Sequence, residues 1–542
     1  MNTHLTGIDA IIIVVYLVVL LGVGWLFSHR QTSLKEYFLA GRSMGWLVVL
    51  LSIFATGFSA IAYVGSPGVA YEYDLMYFSM MLNMPLVALV ILFVLMPFFY
   101  KLGFYTAYQY LERRFDLKTR SMASGLFLLL RGFLTATGIY AASIVLTGIT
   151  GWPQIVSILI IGVITTIYTA MGGIKAVMIN DNIQFCIVNT GALIALAIMF
   201  SRIDGGLGEV LRVAADGGRL RMFDWSFHLY GGEYATNDSW NCIFGIFFAN
   251  LAMFGIDQTI IQRNLTCKSY KTNIKVIIWT PIICMVLSFV FYFIGTVIYA
   301  FYQQFPDRIS PDIPGDHVFI HFILSEMPAG LRGLMVTAIF AAAMSVLSSA
   351  LNSLATVTIV DFVQRFKQGD ALGAASAIVS AKALTCFWGL FATGMAVAWV
   401  YMGGLRSVLE NAINIGNFFS GPLLGMFLAG MLFRRFSANG AFYGAILGFL
   451  LVCWSEFAPA LFSALGWAMP APIQLTTGIH PFWYGALGFF GTWLAGWLIS
   501  LFEPAPADVA GLVVGDVVNA AAMEEALGRS PSHAAEPVAA AD

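Results

Sequence analysis

The stretch "ATGFSA", Ala55–Ala60, interrupts an apolar run that extends over residues 44–66, and "GSPG", Gly65–Gly68, follows it. Small and polar residues also interrupt the run at residues 238–257, within "FANLAMFG", Phe248–Gly255. These are the second and seventh apolar runs of the chain, five runs apart. Matched interruptions at this spacing predict two inverted five-helix repeats whose broken helices mark a binding site. The alternative is that Gly and Ser only let neighbouring helices pack closely.

The composition is that of a membrane protein. Of the 542 residues, 59% are hydrophobic and 10% are charged, whereas soluble proteins carry roughly 25% charged residues. Apolar runs long enough to cross a hydrocarbon core of roughly 30 Å recur along the chain. We therefore predict an all-α polytopic membrane protein with about thirteen transmembrane helices, at approximately residues 8–27, 44–66, 74–100, 121–150, 153–171, 182–201, 238–257, 274–301, 330–363, 376–400, 405–433, 440–464 and 480–502.

The distribution of Lys and Arg predicts the orientation, because loops on the cytoplasmic side carry the excess of positive charge. With the N-terminus outside, the inward loops carry seventeen Lys and Arg residues, Arg263 among them, and the short outward loops carry only Arg308 and Arg406. We expect a multi-pass protein of the cell inner membrane with a cytoplasmic C-terminus. No basic stripe suggests a nucleic-acid partner; the expected partners are the lipid bilayer and a small solute, and the protein is expected to act as a monomer.

The spans and loops predict six segments. The first two are a leading helix with the first cytoplasmic loop, and the first five-helix repeat. The others are an extracytoplasmic loop, the second repeat, two trailing helices, and a disordered cytoplasmic tail rich in Ala, Pro and acidic residues. In order, they cover residues 1–43, 44–201, 202–237, 238–433, 434–502 and 503–542.

The ninth run contains an unusually polar stretch, "AAAMSVLSSALNS", Ala341–Ser353. Ser345, Ser348, Ser349 and Asn352 are spaced i, i+3, i+4, i+7, so they share one face of a helix. Packing alone would not need hydroxyl groups there, although a single serine in a membrane helix usually bonds its own helix backbone. A row of hydroxyl oxygens suits a hard cation such as Na⁺.

Several ionisable or amide side chains also lie in or near the runs. Asp181 is either a functional carboxylate or a helix N-cap. Arg131 either pairs with an anionic substrate or reaches inward beside Lys118 and Arg120. Asp257 and Gln258 are expected at the membrane interface. Further polar residues on the eleventh run could line the same cavity: Glu410, Asn411, Asn414 and Asn417.

Together, several motifs resemble the sodium/solute symporter family, over nearly everything before the tail. They are "EYFLAGRSMGW", "FATGFSAIAYVGSPGVAY", "YTAYQYLERRF", "MGGIKAVMINDNIQ", "DQTIIQRNL", "AIFAAAMSVLSSALNS" and "RRFSANGAFYGAILG". The resemblance is closest to the sialic acid group. It implies a LeuT-like 5+5 inverted repeat with one leading and two trailing helices, and Na⁺ as the coupling ion.

The resemblance also implies site residues. The first sodium site would use carbonyl groups of Ala55, Phe58 and Ala342 and the side chain of Ser345, while the usual second hydroxyl falls on Val346, which has no oxygen. A second sodium site would use four residues: Asp181, Ser345, Ser348 and Ser349. The substrate candidates are Ser59, Ala62, Tyr77, Asn250 and Arg131.

Two functions fit these observations. The first is a sodium-coupled secondary active symporter that imports a small organic solute, such as a sugar, a sugar acid or a monocarboxylate, by alternating access. The second is a transporter-like sensor that binds solute and signals through a separate partner. The sequence contains no catalytic constellation, so we do not expect an enzyme.

Overall fold

The computed structural model describes residues 5–28, 31–101, 103–230, 238–310, 313–366, 374–402, 408–474, 476–506 and 509–516. Within these ranges the regular structure is helical, and strand-like pairing is limited to two isolated bridges, Met44 with Cys267 and Tyr230 with Ile479. The expectation of an all-α protein is confirmed.

The first part of the chain contains the leading helix and the first repeat. Its helices are α1 (Gly7–Ser28), α2 (Leu34–Leu39), α3 (Trp46–Gly57), α4 (Ala60–Glu72), α5 (Met84–Val90), α6 (Met96–Lys101), α7 (Gln109–Arg114), α8 (Leu117–Thr150) and α9 (Gln154–Arg202). One turn of wider π geometry, Ile91–Leu95, joins α5 to α6.

The second part begins with α10 in the loop after α9 and continues to the trailing helices. The helices are α10 (Gly206–Asp216), α11 (Phe247–Gly255), α12 (Gln258–Leu265), α13 (Tyr270–Gln304), α14 (Gly315–Glu326), α15 (Leu331–Val357), α16 (Gln364–Phe366), α17 (Ala374–Tyr401), α18 (Val408–Leu432), α19 (Ala438–Ala464), α20 (Ala471–Gln474) and α21 (Tyr484–Leu501).

Both predicted spans are broken, but the second break follows the predicted stretch Phe248–Gly255, which lies inside α11. α3 and α4 meet at a bend of 65°, and α11 and α12 meet at a bend of 46°. Ser59 caps α4 by accepting a hydrogen bond from the Ala62 amide at 3.3 Å, and Asp257 caps α12 by accepting one from Thr259 at 2.8 Å. The "GSPG" segment makes no second break, since Gly65–Gly68 lie inside α4.

The number of spans stays a prediction. Among the described residues, nine helices are long and apolar enough to cross a membrane, or up to eleven if each bent pair is one span. The runs at 153–171 and 182–201 lie in the two parts of α9, which are separated by a kink at Gly173, where φ +59° and ψ −163° are not helical. At 1.5 Å per residue α9 is about twice as long as one crossing requires.

α15 lies at the centre of the molecule, packed against α9, α8 and α1, and almost every residue from Gly333 to Val357 is buried. Its first turn is tied to the leading helix, because the Asp9 carboxylate accepts hydrogen bonds from the amides of Gly330 (2.7 Å) and Gly333 (2.8 Å). The buried face of α15 therefore holds the predicted polar row inside the protein, away from lipid.

The trailing helices α19 and α21 pack together with α18. Beyond them, the Tyr110 hydroxyl donates to the Leu512 carbonyl at 2.9 Å, and Val513 is buried. The beginning of the predicted tail thus contacts the helical body. Residues 517–542, most of the tail expected to be disordered, lie outside the described residues.

Candidate functional site

The polar row on α15 faces Asp181. The Ser345 hydroxyl donates to Asp181 Oδ1 at 2.9 Å, and both residues are buried. Ser349 Oγ lies 2.9 Å from Thr56 Oγ1 on α3. The Ser348 hydroxyl donates instead to the Ser345 carbonyl of its own helix at 3.0 Å. Asp181 lies in the interior of α9, eight residues after the kink, so it is not an N-cap.

Arg263 is the site residue that sequence reasoning missed. It was counted among the inward loop charges, but it lies in α12 and is fully buried. Its Nη2 atom is 3.0 Å from Asp181 Oδ2, its Nε atom donates to Ser52 Oγ at 2.8 Å, and it also contacts Ser349. Ser52 in turn donates to Asp181 Oδ2 at 2.5 Å. The carboxylate of the second predicted sodium site is therefore neutralised by a guanidinium in this conformation.

The first predicted sodium site coincides with a small cavity between α3, α9 and α15. Its volume, about 10 Å³, is close to the least that one water molecule needs. The lining includes every residue assigned to the site; it consists of Phe54, Ala55, Phe58, Gln184, Phe185, Val188, Asn189, Ala341, Ala342 and Ser345. Val346 is not in that lining.

The lining is mostly apolar, but Ala55 and Ser345 carry neutral oxygen atoms of the hard type that Na⁺ prefers. The Ala55 carbonyl belongs to the last turn of α3, and a helix end leaves such carbonyls without intrahelical partners. The hydroxyl of Ser345 adds a second neutral oxygen. Among the described residues no group of three or more His, Cys, Asp or Glu side chains could hold a metal ion, so this part of the chain offers no site of the kind that transition metals prefer.

Ser59 lies at the α3–α4 break, and the polar side chains of Ser59 and Asn250 already have partners. Ser59 caps α4. The Asn250 amide on α11 donates to Asn83 Oδ1 at 3.0 Å and to the Met80 carbonyl at 3.3 Å. Ala62 on α4 is half-buried, and Tyr77 lies buried in a short 3₁₀ turn, Met76–Met81.

In this conformation Arg131 does not reach inward beside Lys118 and Arg120; it forms an ion pair with Asp257. Its Nε atom lies 2.8 Å from Asp257 Oδ2, and about nine-tenths of each side chain is buried. Asp257 was expected at the membrane interface; instead it lies at the α11–α12 break. The ion pair joins α8 of the first repeat to the broken helix of the second.

The structure describes the side chain of only one of the four candidates on the eleventh run. The side chains of Glu410, Asn411 and Asn414 lie outside the described residues. The Asn417 amide donates to the Pro481 carbonyl at 3.0 Å, so this residue contacts the start of the trailing helix.

The structure is a helical bundle in which two broken membrane helices lie against a buried row of hydroxyl groups. This arrangement is that of a secondary transporter with a LeuT-like inverted repeat. Residues 37–448 match the model of the sodium:solute symporter family. The chain belongs to that family, whose members are transporters and not enzymes and use Na⁺ as the coupling ion. The family resemblance, the multi-pass membrane fold and the coupling ion expected from the sequence are confirmed.

Individual relatives and a solved structure agree with this assignment. The sodium-dependent multivitamin transporter of Oryctolagus cuniculus is 30% identical over 472 residues, 86% of this chain and 72% of that protein. The sodium/sialic acid symporter SiaT of Proteus mirabilis is 29% identical over 495 residues, 90% of this chain and 94% of that protein. A Na⁺-coupled sialic acid symporter, solved substrate-bound and outward-open, superposes with a TM-score of 0.82 at 28% identity over 92% of this chain and 99% of that one.

Proposed function

We propose that the protein imports a small organic solute together with Na⁺ across the cell inner membrane, with its N-terminus outside and its C-terminus in the cytoplasm. The carrying observation is the cavity at the α3–α4 break, because the residues assigned to the first sodium site line one space. Sodium bound there would hold the broken helix against α15. The multivitamin and sialic acid transporters among the relatives support a small organic solute.

Release of the solute into the cytoplasm would require a conformational change after binding. A row of hydrogen bonds closes the space between the second broken span and α15. We call this row the α12–α15 seam. Thr259 Oγ1 lies 3.1 Å from Ser353 Oγ, and Gln262 Nε2 donates to Asn352 Oδ1 at 2.8 Å and to Thr356 Oγ1 at 2.9 Å. With the C-terminus inside, this seam seals the cytoplasmic half and must separate before solute leaves.

Sodium coupling can be measured by solute uptake into proteoliposomes, with and without an inward sodium gradient. Each charge that enters contributes about 2.3 kcal/mol per 100 mV, and a tenfold sodium gradient contributes about 1.4 kcal/mol. We therefore expect accumulation only with the gradient. Equal accumulation in both conditions would contradict sodium coupling, and binding without flux would favour a sensor.

The solute itself can be found by thermal denaturation of the purified protein with candidate sugars, sugar acids and carboxylates. Each compound is tested in Na⁺ and in K⁺. A true substrate is expected to raise the unfolding temperature more in Na⁺, because ligands that bind only the folded state stabilise it.

A further inference from the structure

Gln184 has a buried oxygen atom without a hydrogen-bond partner. The residue lies on α9, one turn after Asp181, and is 1% exposed. Its Oε1 atom is buried and accepts no hydrogen bond from the described residues. Buried amide oxygens are rarely left in this state, and each one asks for an explanation.

The orientation of the Gln184 amide follows from its other end. Gln184 Nε2 donates to the Tyr16 hydroxyl at 3.0 Å, and that hydroxyl in turn donates to Met344 Sδ at 3.9 Å. A tyrosine hydroxyl that donates a hydrogen bond to sulfur can still accept a hydrogen bond from an amide N–H group. The amide nitrogen is thus fixed on Tyr16, which leaves the carbonyl end to point elsewhere.

Gln184 lines the same cavity as Ala55, Phe58, Ala342 and Ser345. An amide carbonyl is a neutral, hard oxygen, the type of ligand that cations such as Na⁺ and Ca²⁺ take from Asn and Gln side chains. The cavity is therefore lined, on its α9 side, by a residue whose amide oxygen has no hydrogen-bond partner among the described residues.

We propose that Gln184 Oε1 is a ligand of the first sodium ion. The inference rests on the proposed sodium-coupled function and adds a ligand from α9 to a site otherwise made by α3 and α15. Because Asp181 is one turn away on the same helix, α9 would then contribute to both sodium sites.

The test is a sodium titration of the purified full-length protein, followed by its unfolding temperature and tryptophan fluorescence, with choline keeping ionic strength constant. Gln184→Met keeps the side-chain length but removes the oxygen. We expect it to weaken sodium binding by about tenfold or more, as partners of bound metal ions typically do. Gln184→Glu, which keeps an oxygen, should still bind sodium.

Val188→Ala is the matched control, because Val188 lines the same cavity from the same helix without an oxygen; it should bind sodium as the unaltered protein does. If the unfolding temperature without sodium shows that Gln184→Met misfolds, Gln184→Asn repeats the test. Its side chain is one methylene shorter, so the carbonyl oxygen lies farther from the cavity and sodium binding should weaken.

Unchanged sodium affinity in a folded Gln184→Met protein would overturn the inference and leave sodium coupling standing. A lack of any sodium response in the unaltered protein, together with gradient-independent uptake, would instead overturn the proposed function.

Discussion

Ser345 can take part in both predicted sodium sites because a hydroxyl group has one proton and two lone pairs. Its hydroxyl donates to Asp181 Oδ1, and the residue lines the cavity of the first site. The lone pairs of the oxygen remain available to a cation while the hydroxyl donates to the carboxylate. A hydroxyl at this position links the two sites without a change of rotamer.

Ser345→Ala is expected to abolish the stimulation of uptake by sodium, since both sites lose an oxygen. Uptake into proteoliposomes at increasing sodium concentration measures this effect. Thr337→Ala is the control, because the Thr337 hydroxyl only donates to the Gly333 carbonyl of the same helix at 2.8 Å. A Ser345→Ala protein that retains full sodium stimulation would show that the sites are misplaced.

The Asp181–Arg263 ion pair leads to a prediction about the stability of the protein. Both side chains are fully buried, so Asp181→Asn or Arg263→Met alone leaves an uncompensated charge and should lower the free energy of unfolding by about 3–5 kcal/mol. The double variant should recover much of that loss. Thermal unfolding of the single and double variants gives the comparison.

The control for that comparison is Arg212→Met. Arg212 forms an exposed ion pair with Glu209 at 2.6 Å, and exposed pairs of this kind contribute about 0–1 kcal/mol. Single variants of Asp181 and Arg263 that are as stable as the unaltered protein would contradict the electrostatic account.

Arg263 also shows why part of the site could not be predicted from the sequence. A lone arginine in "DQTIIQRNL", next to further basic residues, fits a cytoplasmic loop as well as a buried helix. Only the bend at Asp257 turns α12 inward and brings its guanidinium to Asp181. Asp181 and the α15 serines, in contrast, were predictable because polar side chains within apolar runs need a partner inside the protein.

The two helix breaks and the kink in α9 differ in how well the sequence indicates them. The α3–α4 break occurs at the predicted stretch Ala55–Ala60, whereas the α11–α12 break lies just after the predicted stretch Phe248–Gly255. The kink in α9 depends on the single glycine Gly173, whose effect is tertiary: a Cβ atom there would lie 2.7 Å from the Tyr37 carbonyl oxygen. The sequence predicted two spans with a loop between them; the structure has helix up to Gly173 and helix again directly after it, so the loop is reduced to this one residue.

Gly173→Ala is expected to destabilise the protein by about 1–3 kcal/mol, because a non-glycine residue would be strained at this φ and ψ and would collide with Tyr37. The unfolding temperature in detergent is the measurement. Gly148→Ala is the control, since Gly148 lies inside α8 with open space where the methyl group would go. Equal unfolding temperatures for the two variants would show that α9 can kink without glycine.

At the scale of the whole molecule, two contacts hold the second broken span in place. One is the Arg131–Asp257 ion pair at the break, and the other is the α12–α15 seam. Alternating access requires broken helices to move against their neighbours. The described conformation is therefore one of at least two that the transporter must visit.

A cross-link across the α12–α15 seam should trap this conformation. Thr259 Oγ1 and Ser353 Oγ are 3.1 Å apart, so cysteines at both positions could approach disulfide distance. After oxidation, Thr259→Cys/Ser353→Cys should lose uptake yet still bind sodium, and reduction should restore uptake. Each single cysteine variant serves as control; uptake that survives a complete cross-link would show that the seam does not have to open.

The α3–α4 break has one more consequence, which concerns the helix macrodipole. α3 ends at Gly57 and α4 begins at Ala60, so a partially negative helix end and a partially positive one lie two residues apart. A cation is stabilised at the first and an anion at the second, each by about 0.3–1 kcal/mol at exposed ends and up to about 2 kcal/mol when partly buried. The break thus favours a sodium ion and a negatively charged group side by side over either ion alone.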